Sequence, residues 1–337
     1  MKKSARPAKR KSRMEAPNPE RYIVQMEKLT SSEVYLDPDG GQTPVLHDLN
    51  LEIERGQCWG VVGLEPFELE LMLEIVGCVR PYGSGRCKLV ERGMMRKKRK
   101  ILPHVFFVGD GEMSIPNMSA LEYLMFATQN TGISAKVRQI EFLKLLLDSD
   151  CYAWTFAPVA ALTRAQKSVL SLVAATFSGA LLIIFSCSRL QIEPPLQNLI
   201  RLSAQRVTAA GGAVLMSTQS AELAQSVCTH AAFLINGTLT HSGTLSVMMR
   251  ELDKREYIVK TEDVQALKEQ LRTALPCVTC MERKPYLDLY NMDEVPLAQA
   301  KVLDVLAALH DVRIDTIRYS KKTLENAFLE ASGEHDL

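Results

Sequence analysis

From Ser168 to Ser188 the chain reads SVLSLVAATFSGALLIIFSCS, 21 residues without a charge. So long an uncharged run has two physical solutions: it spans a bilayer, for which about 20 apolar residues suffice, or it is enclosed in a globular core. Gly179 separates a half rich in small residues, suited to a buried helix, from a bulkier aliphatic half, Leu181 to Phe185, with the length of a buried parallel strand. A helix feeding a central strand is therefore expected, and a membrane span is not. At 337 residues and 47% hydrophobic content, the chain is long enough for one large core and a smaller second one.

The same strand-then-helix order recurs. QCWGVVG (57–63) reads as a buried strand followed by a helix from about Phe67 to Val76. HVFFVG (104–109) is a strand followed by helices near 119–130 and 134–148, the first opened by Ser119 with Glu122 three positions on, the spacing of a capping box. A helix near 195–210, the strand AVLMST (213–218), a short helix from Ala221 and the strand AAFLING (231–237) come next, the last turning at Asn236-Gly237 into TLTHSG. RYIVQMEKL (21–29) and LHDLNLEIE (46–54) read as an antiparallel edge. Strands alternating with helices place the chain in the α/β class, with a mostly parallel sheet wrapped on both faces.

Charge is unevenly spread. Seven of the basic residues fall in 1–13 (Lys2, Lys3, Arg6, Lys9, Arg10, Lys11, Arg13) and five more in RKKRK (96–100), leaving 28 basic against 39 acidic residues elsewhere. The two runs suit weak contact with anionic lipid, or else a disordered tail and a solvated loop; nucleic acid is not expected as a partner. The eight cysteines form no short regular framework and no apolar stretch follows the N-terminal charges, so a reducing, cytoplasmic setting is expected.

GQCWGVVG (56–63), LTRAQKSVLSLVAA (162–175), ALLIIFSCSRLQIEPP (180–195) and AVLMSTQSAELAQSVCTHAAFLINGTLTHSGTL (213–245) keep the order and spacing, over residues 22–260, of a known pattern. They resemble the nucleotide-binding domain of an ATP-binding cassette (ABC) transporter of the lipid-exporting A subfamily. The resemblance implies a P-loop NTPase-like cassette with an antiparallel β subdomain and a helical subdomain over 21–252, preceded by a basic tail (1–20). KTLENAFLEAS (322–332) resembles the end of the small regulatory domain of that subfamily. The stretch 253–332 reads as β-α-β-β-α-β, a ferredoxin-like α+β unit, with 333–337 as a tail.

The family's catalytic letters are replaced. Its phosphate loop, G-x-x-G-x-G-K-[ST], wraps phosphates with backbone N–H groups at a helix N-terminus while the Lys reaches the terminal phosphates and the hydroxyl holds magnesium. Here the matching stretch is GLEPFELE: Gly63 remains, Glu65 and Pro66 follow, the Lys position falls on Glu68 or Leu69, and Glu70 comes next. Pro66 removes a donor. A carboxylate about 4 Å from a phosphate adds several kcal/mol of repulsion at an effective dielectric near 20. The apolar strand LLIIF, which in the family ends in Asp-Glu, ends in Ser186-Cys187; Cys187 is a redox nucleophile only beside a basic or helix-terminal neighbour and otherwise an inert thiol. The signature that closes the partner's nucleotide site stands as Thr163-Arg164-Ala165-Gln166, and the switch histidine is Gln219. The family's Q-loop glutamine falls at Gly109 or Asp110. Tyr35, as an adenine platform or a packed aromatic, and Glu193, at the loop Asp position, are the remaining matches.

Two functions are thus in view. One is a non-hydrolysing cassette subunit or remnant, serving lipid transport beside a cassette or membrane-domain partner at the cytosolic face, with no cofactor and no metal. The other is a divergent working ATPase binding Mg-ATP, with Thr163 and Arg164 offered to a partner's nucleotide. Cys277 and Cys280 lack a second pair at metal spacing, are expected on opposite faces of a strand and read as structural.

Overall fold

The computed structural model describes residues 21–36, 40–109, 118–291, 299–308 and 312–333. Its centre is a six-stranded sheet in the order Thr238–Thr244, His230–Ile235, Cys58–Gly63, Ala213–Thr218, Leu182–Ser186, Val105–Val108. All pairs are parallel except the outermost hairpin, Thr238–Thr244 on His230–Ile235. The four inner strands are apolar on both faces because both are covered. Ile183, Phe185, Val214 and Met216 point into a core shared with the helices Arg164–Thr176 and Pro194–Ala209. Their neighbours Leu182, Ile184, Ala213 and Leu215 point into a second core under the helix Pro66–Val76. The uncharged run divides as its composition implied, into the helix Arg164–Thr176 and the strand Leu182–Ser186, with Gly179 at φ +73 between them. Among the described residues no helix is long and apolar enough to cross a membrane.

Over that second core lies a four-stranded antiparallel sheet, Leu49–Glu54, Tyr22–Ser31, Tyr82–Leu89, Arg92–Gly93. The expected antiparallel edge is therefore a separate sheet, completed by a strand, YGSGRCKL, too polar and glycine-rich to stand out. Gly85 sits there at φ +89, and a Cβ would come 2.1 Å from the Lys28 carbonyl oxygen, so the bulge in this pairing requires glycine. RKKRK is not a loop: it lies on the helix Met94–Ile101, held by the buried Met94 and Ile101 seven residues apart. The helical face of the cassette is built by Ala120–Ala127 and Ala135–Asp148, and Ser119 and Glu122 close the expected capping box.

Beyond the helix Leu245–Leu252, four antiparallel strands pair in the order Val278–Arg283, Tyr286–Asn291, Arg255–Thr261, Ile314–Tyr319, with Val264–Ala274 and Gln299–Ala308 as the intervening helices. Cys277 lies just ahead of its strand, and both Cys277 and Cys280 pack partly on this unit's core, so the opposite-face expectation does not hold. The final helix, Leu324–Ser332, leaves this unit and packs on the cassette through Leu324, Ala327 and Phe328.

Candidate functional site

The central strand ends at Gly63 and the helix begins at Pro66, so only Leu64 and Glu65 connect them. A phosphate-wrapping loop has four residues between its first glycine and the Gly-Lys pair. Here two residues stand in place of four, and the third, Pro66, has no N–H. Pro66 fits where it stands, since the first helical position needs no intrahelical donor and prefers φ near −65°. The N-cap, Glu65, makes no side-chain cap bond. Gly63 has a packing reason of its own: a Cβ there would lie 2.8 Å from the Leu234 carbonyl oxygen on the adjacent strand.

Of the two candidates for the lysine position, Leu69 is fully buried in the core under the helix. Glu68 is buried as well, at 6% exposure, and turns to the hairpin at Asn236-Gly237. Its Oε2 accepts the backbone N–H of Gly237 at 3.0 Å, and its Oε1 accepts the hydroxyl of Tyr35 at 3.4 Å. Gly237 has φ +72 and no room for a Cβ, which would be 2.2 Å from the Val45 carbonyl oxygen, so the donor is fixed in place. Burial pushes the Glu68 carboxyl above the ordinary glutamate range, and the Gly237 and Tyr35 hydrogen bonds oppose that rise. Burial and the nearby Glu68 and Glu65 carboxylates raise the Tyr35 phenol in turn. Tyr35, weighed as an adenine platform, thus has its hydroxyl committed to Glu68; its strand, Val34–Leu36, pairs with Gln42–Pro44.

The switch position closes the same turn from the other side, where Gln219 Nε2 donates to the Leu64 carbonyl oxygen at 2.6 Å. Glu70 pairs with Arg189 at 2.9 Å, just beyond the LLIIF strand. Ser186 and Cys187 are both buried; the Cys187 thiol donates to the Ser217 carbonyl oxygen at 2.8 Å. The hydroxyls of Ser186 and Ser217 have no hydrogen-bond partner among the described residues. The strand end thus presents a hydroxyl and a hydrogen-bonded thiol where the resembled family has a pair of carboxylates. Among the described residues no group of three or more His, Cys, Asp or Glu side chains is arranged to hold a metal ion.

At the signature position Thr163 is the N-cap of Arg164–Thr176 and forms a capping box with Gln166: the Thr163 hydroxyl accepts the Gln166 N–H and the Gln166 Oε1 accepts the Thr163 N–H. Ala165 is buried beneath it and Arg164 is exposed. Glu193 is an exposed N-cap of Pro194–Ala209 without a side-chain cap bond. Gly109 follows the edge strand Val105–Val108, and Asp110 lies outside the described residues. The structure brings Tyr35, Glu68, Gln219 and the turn at Leu64 together; Thr163 to Gln166 belong to a different helix end. Sequence reasoning missed Gly237 and Arg189. The Asn-Gly turn was visible, but its contact with Glu68 spans 169 residues of chain.

Comparisons with known proteins agree with this architecture. No family model matches the chain. It is 22% identical over 299 residues to the Nod factor export ATP-binding protein I of Cupriavidus pinatubonensis, covering 87% of each chain. It is 20% identical over 314 residues to human ATP-binding cassette sub-family A member 2, covering 91% of this chain but 13% of that protein. Among solved structures, the ATP-binding subunit of an ABC transporter superposes with a TM-score of 0.55 at 17% identity, over 68% of this chain and 92% of the other. A bacterial ABC transporter cassette solved as a dimer gives 0.53 at 16% identity, over 66% and 98%. By its sheet order, its antiparallel and helical subdomains and these likenesses, the chain has the fold of an ABC transporter ATP-binding cassette.

Proposed function

We propose that this chain is a non-hydrolysing relative of ABC transporter cassettes, a pseudo-ATPase subunit that pairs with a cassette or a membrane domain and serves transport, of lipid on the A-subfamily likeness, at a cytosolic membrane face. The observation that carries the reading is Glu68: a buried carboxylate, hydrogen-bonded to Gly237 and Tyr35, stands in the first turn of the helix whose N-terminus binds phosphate in a working cassette. Glu65 and Glu70 add two more carboxylates, of which Glu70 is paired with Arg189. The short Leu64-Glu65 connection and the Ser186-Cys187 strand end support the same reading. In it, residues 253–332 act as a ferredoxin-like regulatory domain, and the basic N-terminal segment gives weak, salt-sensitive contact with anionic lipid.

Ligand stabilisation follows RT ln(1 + [L]/Kd), so a chain with Kd well above 1 mM should show no rise in melting temperature at about 1 mM Mg-ATP, and calorimetry should record no saturable heat. A rise of several degrees would instead favour the divergent ATPase that binds Mg-ATP.

A further inference from the structure

The helix Met94–Ile101 carries a surface that the nucleotide reading leaves unused. Arg96, Lys97, Lys98, Arg99 and Lys100 are all exposed, and no carboxylate among the described residues lies within ion-pair distance of them. Nearby cations on the same subdomain are answered: Arg80 pairs with Glu33 and Glu74, and Arg86 with Glu27. Met94 and Ile101 face the core, while Met95 and Leu102, one position on from each, face outward at 59% and 45% exposure. Lys98 is close enough to Cys78 to offset part of the rise that burial imposes on that thiol.

The segment, helical but broken at Lys97 (φ −127), thus turns two apolar residues inward, Met94 and Ile101, which hold it to the protein, and two outward, Met95 and Leu102 in the turn that follows, which lie among five cations without an ion-pair partner among the described residues. A bilayer interface with anionic headgroups fits that pattern, because it takes up basic side chains electrostatically and short apolar ones at the acyl boundary. Nucleic acid fits it less well. Residues 92–102, RGMMRKKRKIL, contain no aromatic to stack on a base, and nucleic acid leaves the outward Met95 and Leu102 without an apolar partner.

We propose that this face, formed by Met95 to Leu102, docks the protein peripherally on a membrane containing anionic phospholipid. It is a structured signal, separate from the basic run in residues 1–13, and stable peripheral attachment needs two signals. It shares no residue with the turn at Gly63, so this proposal and the nucleotide reading stand or fall separately.

The test is co-sedimentation of the full chain with phosphatidylcholine vesicles containing about 30% phosphatidylserine, at about 50 mM sodium chloride. With each basic residue near such a surface worth about fivefold in partitioning, R96Q/K97Q/K98Q/R99Q/K100Q should lower vesicle binding by on the order of a thousandfold. Its melting temperature should stay unchanged, since all five side chains are exposed. The second variant, M95S/L102S, keeps every charge and should still bind about tenfold more weakly, which a purely electrostatic contact would not show. Binding by the five-substituted chain equal to that of the unaltered protein would overturn the proposal. So would a wild-type chain that ignores these vesicles but binds RNA or an acidic polypeptide through the same five residues.

Discussion

Glu68 is a buried carboxylate with two hydrogen-bond donors and no cation within ion-pair distance among the described residues, so its contribution depends on its protonation state. Burial lifts its folded-state pKa above the ordinary value of 4.5. The folded state therefore holds the proton more tightly than the unfolded chain, and stability from this group is full below about pH 4.5 and declines as pH rises through the lifted value. Glu68→Gln cannot ionise and keeps an oxygen for the Gly237 N–H. Urea unfolding across about pH 4 to 7 should show the wild type losing stability relative to Glu68→Gln as pH rises; a drift the other way would mean that the hydrogen bonds, not burial, dominate the carboxylate. Glu68→Ala leaves the Gly237 N–H without its acceptor and should cost about 1–3 kcal/mol at any pH. The residue scale is also where the sequence was least complete. Carboxylates in the turn were evident from GLEPFELE, and so was the apolar face Leu71, Met72, Ile75, Val76. What Glu68 does there depends on Tyr35 and Gly237, contacts between distant parts of the chain that no local pattern encodes.

At the level of elements, local signals were reliable wherever the physics was local. Ser119 with Glu122 forms the cap its spacing implied, and Thr163 with Gln166, read from the sequence only as a signature position, forms one as well, because an N-cap hydroxyl and a side chain three residues on meet through the helix geometry alone. The Ser119 N–H and hydroxyl hold the Glu122 carboxyl below its usual range. Thr163→Ala should cost about 0.5–2 kcal/mol in chemical denaturation, and Thr163→Ser should restore nearly all of it. An equal loss for both would show that the threonine methyl, not the cap, is what matters. The elements that escaped the sequence reading are those whose identity is set by a partner. Tyr82–Leu89 is polar and glycine-bearing and becomes a strand because it pairs along Tyr22–Ser31. Met94–Ile101 offers only two buried residues to a periodicity search, hidden among five cations. The strands of the central sheet were legible because burial on both faces gives continuous apolar runs, as in LLIIF and AVLMST.

On the scale of the whole molecule, the helix Leu324–Ser332 ties the C-terminal unit to the larger one. Leu324, Ala327 and Phe328 share a cluster with Val62, Ala224, Ala231 and Phe233, and the Phe328 ring meets the Phe233 ring edge-on at 5.0 Å. Val62 directly precedes Gly63, so this cluster lies under the candidate site. The polar contacts join the same parts: Gln225 Oε1 accepts the Leu324 N–H at 2.8 Å, and Asp253 Oδ2 accepts both the Thr323 N–H and the Asn326 side-chain amide. Lys322 Nζ donates to the carbonyl oxygens of Asp253 and Arg255, which fastens the start of the helix to the first strand of the C-terminal unit. With both attachments intact, the two units should unfold in one calorimetric transition. Phe328→Ala removes a buried ring from the shared cluster at about 3–5 kcal/mol. For a unit of about 200 residues this should lower its melting temperature by on the order of 6–20 °C. The C-terminal unit keeps its own core of Tyr257, Val259, Leu267, Leu271, Leu287 and Leu289, so its transition should separate from the cassette's in the variant. A cassette transition unmoved by Phe328→Ala would show that the helix rests on the cassette without supporting it, and that the two cores are stable independently.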